Sequence, residues 1–302
     1  MLPRNRKPII ALALGSGSAR GWAHLGVLRT LTQAGIRPDL ICGTSIGALV
    51  AAAYAAGETE RFEKWVLSLT LRDVVSLMDF GLSGGMLRGE RLMAFFERHF
   101  MDCPIEDLQL PFAAVATDLH TGQEVWLQEG STSEAVRASI ALPGLFSPSP
   151  YQGRLLVDGG LVNPVPVSLA RAMGADIVIA VDLNADILGR HVAPETDPPV
   201  RSSVGSAWRQ RLPQAISSLL PGNGESPEPM PSMIDTVSAS INIMQVRITR
   251  SRMAGDPADF VIAPRLATLG LLDFHRAKFA VEQGVAAAEA SLPALKQLGL
   301  SS

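Results

Sequence analysis

Three short stretches hold the residue types that acyl chemistry needs. Gly43-Thr44-Ser45-Ile46-Gly47 sets a serine between two glycines; Asp158-Gly159-Gly160 ends an apolar run on a carboxylate; Gly15-Ser16-Gly17-Ser18-Ala19-Arg20-Gly21 strings small residues through a turn. A serine flanked two places away on each side by residues without bulk is the pattern of a nucleophile elbow. A strand turns sharply into a helix there, and the hydroxyl is thrust out on a strained backbone. The apolar run Leu40 to Cys42 precedes this serine and an Ala-rich helix former, Ile46 to Ala56, follows it. Such a helix aims its free N–H groups and the positive end of its dipole at the reacting atoms.

The small-residue turn has two readings. A dinucleotide fingerprint needs G-x-G-x-x-G, with an acidic residue closing the second strand. Here the spacing is one residue too long, and Asp39 opens that strand instead of closing it. The other reading is an oxyanion hole, in which successive backbone N–H groups of Ser16, Gly17 and Ser18 meet a carbonyl oxygen. A plain strand-to-helix turn is the bland alternative.

A serine nucleophile also needs a base. A triad would take a histidine, but His24, His99 and His275 fall in expected helices, His120 in a turn and His191 in an irregular stretch. An α/β-hydrolase elbow also follows several strands, whereas Ser45 follows only the second. Asp158 fits better. It ends an apolar strand, and in an open parallel sheet ligands gather at that strand end, where Ser45 and the glycine-rich turn also emerge. Its bland reading is a turn former bonded to its own backbone.

The elements that must position these groups follow from the apolar pattern. Ile9 to Leu14 is a buried strand, Trp22 to Ala34 a helix stopped by Gly35, and Asp39 to Cys42 the second strand, a βαβ unit closed by the elbow. Helices are expected at Glu60 to Leu69, Arg91 to Phe100, Ser133 to Ala141 and Val165 to Met173, with a flexible turn at Asp79 to Gly85. Strands are expected at Phe112 to Thr117, Glu124 to Leu127, Leu155 to Val157 and Ile177 to Val181. A helix from Ile234 to Met253, a strand at Phe260 to Ile262 and a helix from Asp273 to Leu295 complete the pattern. Alternation of this kind predicts an α/β fold, a mainly parallel sheet flanked by helices.

Composition narrows the function classes. At 302 residues, with 47 % hydrophobic and 18 % charged residues and a net charge of -3, the chain has material for a large core and no basic footprint for nucleic acid. Cys42 and Cys103 form neither a disulfide framework nor a metal or redox pair, and nothing calls for a cofactor or a metal. The basic then apolar start, Met1 to Leu14, imitates a signal peptide, but its apolar run is short and reads as a first strand. The expected compartment is the cytoplasm. The sequence carries no signature of oligomeric state.

Taken together, these stretches resemble the patatin-like phospholipase family, and specifically its bacterial members, over roughly Ile9 to Leu183 and again around Asp256 to Pro264. The glycine-rich turn, the elbow, Ala138-Ser139-Ile140-Ala141-Leu142-Pro143 and Asp158-Gly159-Gly160 carry the resemblance, in that order. It implies a patatin-like three-layer sandwich, one catalytic domain over residues 7–302, and a Ser-Asp dyad without histidine. Ser45 is then the nucleophile and Asp158 its base. The implied substrate is a lipid or fatty-acyl ester, cleaved as by a phospholipase A or lysophospholipase. The family's loop has three successive glycines where this chain has Ser16, Gly17 and Ser18. Serine keeps the N–H but adds a Cβ that disfavours positive φ. That departure keeps a second class open, a non-catalytic lipid-binding or regulatory protein on the same scaffold. Arg20 has two readings, contact with a phosphate head group or pairing with a carboxylate.

From 185 to 231 the chain turns to Pro, Ser, Gly and charge. A helix expected at Val204 to Leu220 pairs Trp208, Leu212 and Ile216 with Arg209 and Arg211, a composition suited to a lid or to peripheral membrane contact. Its bland reading is a solvated loop, since Pro213 interrupts the face.

Overall fold

The computed structural model describes residues 6–77, 90–99, 103–187 and 233–300. At its centre lies β1 (Ile10–Leu14), apolar throughout and fully buried. It runs parallel to β2 (Leu40–Thr44) on one side and to β7 (Ile177–Val181) on the other. β3 (Phe112–Asp118) continues beside β2 and β8 (Phe260–Ile262) beside β7, both parallel. Continuous apolar runs suit these strands because helices cover both faces.

The two faces differ in bulk. Ile10, Leu12 and Leu14 of β1 point into a large core with Ile41, while Ala11 and Ala13 point the other way, with Cys42, Ala113 and Ala180, into a thinner one. The large side takes α1 (Ala23–Gln33), α2 (Ile46–Ala55), α3 (Thr59–Ser68) and α9 (Ala277–Gln297). The thin side takes α7 (Val167–Ala172). α2 is apolar all round, and all of it except Tyr54 is buried, as a helix wedged between sheet and outer helices must be. The remaining α-helices among the described residues are α4 (Leu71–Leu77), α5 (Glu90–His99), α6 (Thr132–Ser139) and α8 (Met233–Gly255).

The expected fold class holds, with two additions and one correction. α4 and the short strand β5 (Ser149–Tyr151) were not anticipated. The correction concerns β6 (Arg154–Asp158), which is antiparallel to both β3 and β5, so Asp158 does not sit at the carboxyl end of a parallel strand. β4 (Glu124–Leu127) is the other antiparallel partner of β3. The expected turn at Asp79 to Gly85, the expected helix at Val204 to Leu220 and nearly all of the stretch from 185 to 231 lie outside the described residues.

α1 and α9 cross at glycines. A Cβ on Gly284 would lie 2.0 Å from the Ala23 carbonyl oxygen, and one on Gly26 would lie 2.1 Å from that of Val281. Helix propensity alone favours alanine over glycine by about 1 kcal/mol. Backbone overlap reverses the sign, since overpacking costs about 1–3 kcal/mol. Gly284→Ala is therefore expected to lower the thermal unfolding midpoint, and a raised midpoint in a calorimetric scan would show that the crossing relaxes freely.

Candidate active site

The elbow forms where β2 meets α2. Ser45 adopts φ 57° and ψ −126°, a left-handed excursion that costs a non-glycine residue about 1–3 kcal/mol. Its neighbours must be small. A Cβ on Gly47 would lie 2.2 Å from the Leu14 carbonyl oxygen, and one on Gly43 would lie 2.4 Å from the Ala48 nitrogen. The strained backbone is pinned by Ser139 at the end of α6. Its Oγ accepts from the Ser45 N–H at 2.8 Å and donates to the Val115 carbonyl at 2.6 Å. Thr44 Oγ1 donates to Asn163 O at 2.8 Å and fixes the preceding residue.

The register of β3 explains how Asp158 reaches the serine. Gly43 and Thr44 of β2 pair with Ala114 and Val115, and Asp158 and Val157 of β6 pair with Ala116 and Thr117. β4 pairs with all four of these β3 residues, so it holds one edge of β3. β2 and β6 therefore share the other edge, running toward each other end to end. Ser45 leaves β2 where β6 terminates. The Ser45 hydroxyl donates to Asp158 Oδ2 at 2.5 Å, and Oδ1 accepts the Gly160 N–H at 2.6 Å. Only 1 % of Asp158 is exposed, and this burial pushes its carboxyl up to about 6 against the pull of those two bonds.

The glycine-rich turn lies on the other side of Ser45. Ser16 donates its N–H to Pro164 O at 2.8 Å, so that group is spent inside the protein. The N–H groups of Gly17 and Ser18 have no partner among the described residues, and both residues line the pocket with Ser45. Ser18 carries the conformational penalty anticipated for a serine here, with φ 52°. Its hydroxyl compensates by donating to Leu271 O at 2.6 Å. Arg20 is 1 % exposed and does not face a head group. Its Nε donates to Gly17 O at 3.1 Å and its Nη2 to Asn242 Oδ1 at 2.7 Å. Burial lowers its guanidinium to about 10, with Asp186 and Asp182 opposing, so it stays charged at neutral pH.

The pocket above these groups is apolar. Trp22, Leu49, Trp65, Leu142, Phe146 and Phe274 line it, and among the described residues Ser18, Ser45, Asp158 and Gln245 bring hydroxyl, carboxyl or amide groups to it. No histidine lines it among the described residues. His24 is fully buried beneath the loop, with Nε2 2.8 Å from Gly15 O, and burial lowers it to about 4. Sequence reasoning missed Asn184, Asn242 and Gln245, which no local motif marks; Ser139 was visible only as part of a longer matching stretch.

The family model described as patatin-like phospholipase matches residues 12–171. A protein of Mycobacterium tuberculosis, named as an uncharacterized NTE family protein, is 33 % identical over 96 % of this chain and 92 % of its own. The chain belongs to the patatin-like phospholipase family. Patatin-like phospholipase domain-containing protein 6 of Mus musculus is 42 % identical to it over 58 % of this chain but only 14 % of the mouse protein. VipD from Legionella pneumophila, a crystal structure, superposes with a TM-score of 0.58 at 15 % identity, covering 95 % of this chain and 67 % of that one, a likeness of fold. No helix among the described residues is long and apolar enough to cross a membrane.

In this patatin-like chain the buried carboxylate weighs on stability. Because its folded value is raised, the folded state binds a proton more tightly than the unfolded one, and stability present below the ordinary carboxylate range is lost as pH rises through about 6. At neutral pH this costs about 3 kcal/mol. His24 acts in the opposite sense, its stability being lost as pH falls from about 6.5 toward about 4. Isosteric Asp158→Asn removes the first effect alone. It should melt several degrees above the wild type at pH 8, with the gap closing toward pH 4; a gap independent of pH would mean that Asp158 is not destabilised by burial.

Proposed function

We propose that the protein is a serine hydrolase of lipid acyl esters, acting as a phospholipase A or lysophospholipase through a Ser45-Asp158 dyad. The observation that carries this reading is the 2.5 Å bond from a strained, elbow-mounted serine to a buried carboxylate beside an apolar pocket. Membership of the patatin-like phospholipase family supports it.

The geometry supports the following chemistry. Asp158 takes the hydroxyl proton as Ser45 Oγ bonds to the ester carbonyl carbon, and the carbonyl π pair moves onto oxygen. The N–H groups of Gly17 and Ser18 receive that oxyanion, aided by the positive end of α2. When the tetrahedral centre collapses, the carbon–oxygen bond to the alcohol breaks and protonated Asp158 gives its proton to the departing oxygen. Water, deprotonated by Asp158, then attacks the acyl-enzyme. A second collapse returns the proton to Ser45 and releases the carboxylic acid. The apolar pocket holds the acyl chain, and burying each methylene in it is worth about 0.8 kcal/mol. A carboxyl group near 6 suits a base that must hold and return a proton near neutral pH.

Two results are expected. Ser45→Ala and Asp158→Asn should each lower the kcat for a p-nitrophenyl ester on the order of 10⁴-fold while folding normally, and a fluorophosphonate should label wild-type Ser45. Full activity in Ser45→Ala would overturn the mechanism. The wild-type kcat/KM should rise with pH along a limb of apparent pKa about 6 and then level, because only ionised Asp158 accepts the proton. A limb that survives Asp158→Asn would assign the base to another group.

A further inference from the structure

Two consecutive carbonyls of the glycine-rich turn are held by the same device. Ser16 O accepts from Asn184 Nδ2 at 3.3 Å, and the same Nδ2 donates to Gln245 Oε1 at 3.2 Å. Gly17 O accepts from the Arg20 backbone N–H at 3.2 Å and from Arg20 Nε at 3.1 Å, and the same guanidinium donates through Nη2 to Asn242 Oδ1 at 2.7 Å. Chemistry fixes the direction of every bond. A backbone carbonyl only accepts, so Asn184 must turn its amide nitrogen to it, and Gln245 then meets that nitrogen with oxygen. Arginine only donates, so Asn242 must also present oxygen.

Both acceptors sit on one face of α8. Ile241, Gln245, Val246 and Thr249 are buried and Asn242 is half-buried, whereas Ile243 and Met244 are exposed. Ile241 and Gln245 also line the pocket. In a trans peptide the C=O and the following N–H point in opposite directions, and there are no cis peptide bonds among the described residues. A Ser16 carbonyl drawn away from the pocket therefore turns the Gly17 N–H toward it. The Gly17 carbonyl does the same for the Ser18 N–H.

We propose that Asn242 and Gln245 are positioning residues for the oxyanion hole: acting through Arg20 and Asn184, they turn the Ser16 and Gly17 carbonyls inward and so aim the Gly17 and Ser18 N–H groups at the reacting carbonyl. This rests on the reading of Ser45 as nucleophile. It adds that the catalytic loop is set from α8, 222 residues further along the chain. Without Asn242 the buried guanidinium loses an acceptor and is drawn toward Asp182 and Asp186, which leaves Gly17 O held by the Arg20 backbone N–H alone. Without an oxygen at Gln245, nothing on α8 holds the Asn184 amide against Ser16 O.

The test compares variants that delete the acceptor, Asn242→Leu and Gln245→Met, with one that keeps it, Asn242→Asp. With a p-nitrophenyl ester, the deletions should lower kcat about 10- to 100-fold, leave KM within about 2-fold and weaken an alkyl boronic acid, which mimics the tetrahedral oxyanion, in parallel with kcat. The pH limb should stay near 6, and Asn242→Asp, whose oxygen lies outside the pocket, should retain most of the activity. A merely structural tie would lower the melting temperature without separating kcat from KM. Unchanged kcat and boronate affinity in the folded deletions, or an equal loss in Asn242→Asp, would overturn the proposal. Should a deletion fail to fold, Asn242→Gln and Gln245→Asn, which displace the oxygen by one methylene, take its place under the same criteria. Crystal structures of the variants give a readout that needs no activity. The Ser16–Gly17 or Gly17–Ser18 peptide should turn, and peptides left in place would overturn the inference. A wild-type protein inert toward both esters and fluorophosphonate would instead count against the dyad itself.

Discussion

β3 has two edges but three neighbours, and the site exists because β2 and β6 must share one of those edges. Two strands running toward each other along the same line cannot both continue. β2 leaves the line at Ser45 and β6 stops at Asp158, so the hydroxyl and the carboxylate meet at the junction. The same short piece of β3 anchors both. Val115 O holds Ser139, which holds the Ser45 N–H, and Thr117 Oγ1 donates to Asp158 O at 2.8 Å. A distance that must be right to a few tenths of an ångström is thus set by a rigid central strand and not by two independent loops.

Unfavourable features concentrate around this junction, and each has a local compensation. Ser45 and Ser18 both take positive φ; the first is held by Ser139 and the second by Leu271 O. Asp158 is buried as a carboxyl but keeps two short donors. Arg20 is buried as a cation, yet it meets a carbonyl, an amide oxygen and the field of Asp182 and Asp186. The strain is affordable because the sheet beneath is packed with apolar side chains on both faces.

The central strands, the elbow and the acid were legible in the sequence because their signals are local: a buried run, a glycine two places either side of a serine, a carboxylate before two glycines. The direction of β6 was not, since an apolar run reads the same whichever way its strand lies. A clue was present in Gln152 and Gly153, which both adopt positive φ and close the two-residue hairpin between β5 and β6. Pro150 disguised β5 as a loop. Ser16 was expected to help hold the oxyanion, and only the fold reveals that its N–H is turned to Pro164. Asn242 and Gln245 stayed hidden because polar residues on a helix read as a solvated face until the residues they touch, hundreds of positions earlier, are known.

The crossing of α1 with α9, and the ties from the glycine-rich turn to Asn242 and Leu271, also set an order of events during synthesis. Ser18 meets its Leu271 partner across 253 residues and Arg20 meets Asn242 across 222. Chains grow at about 5–20 residues per second, so on the order of 10–50 seconds separate translation of the loop from translation of its supports. Over the last part of that interval Ser45 and Asp158 have both been made, yet the turn beside them has nothing to brace it. On the proposed mechanism, a nascent chain thereby cannot hold an oxyanion until α8 and Leu271 have left the ribosome.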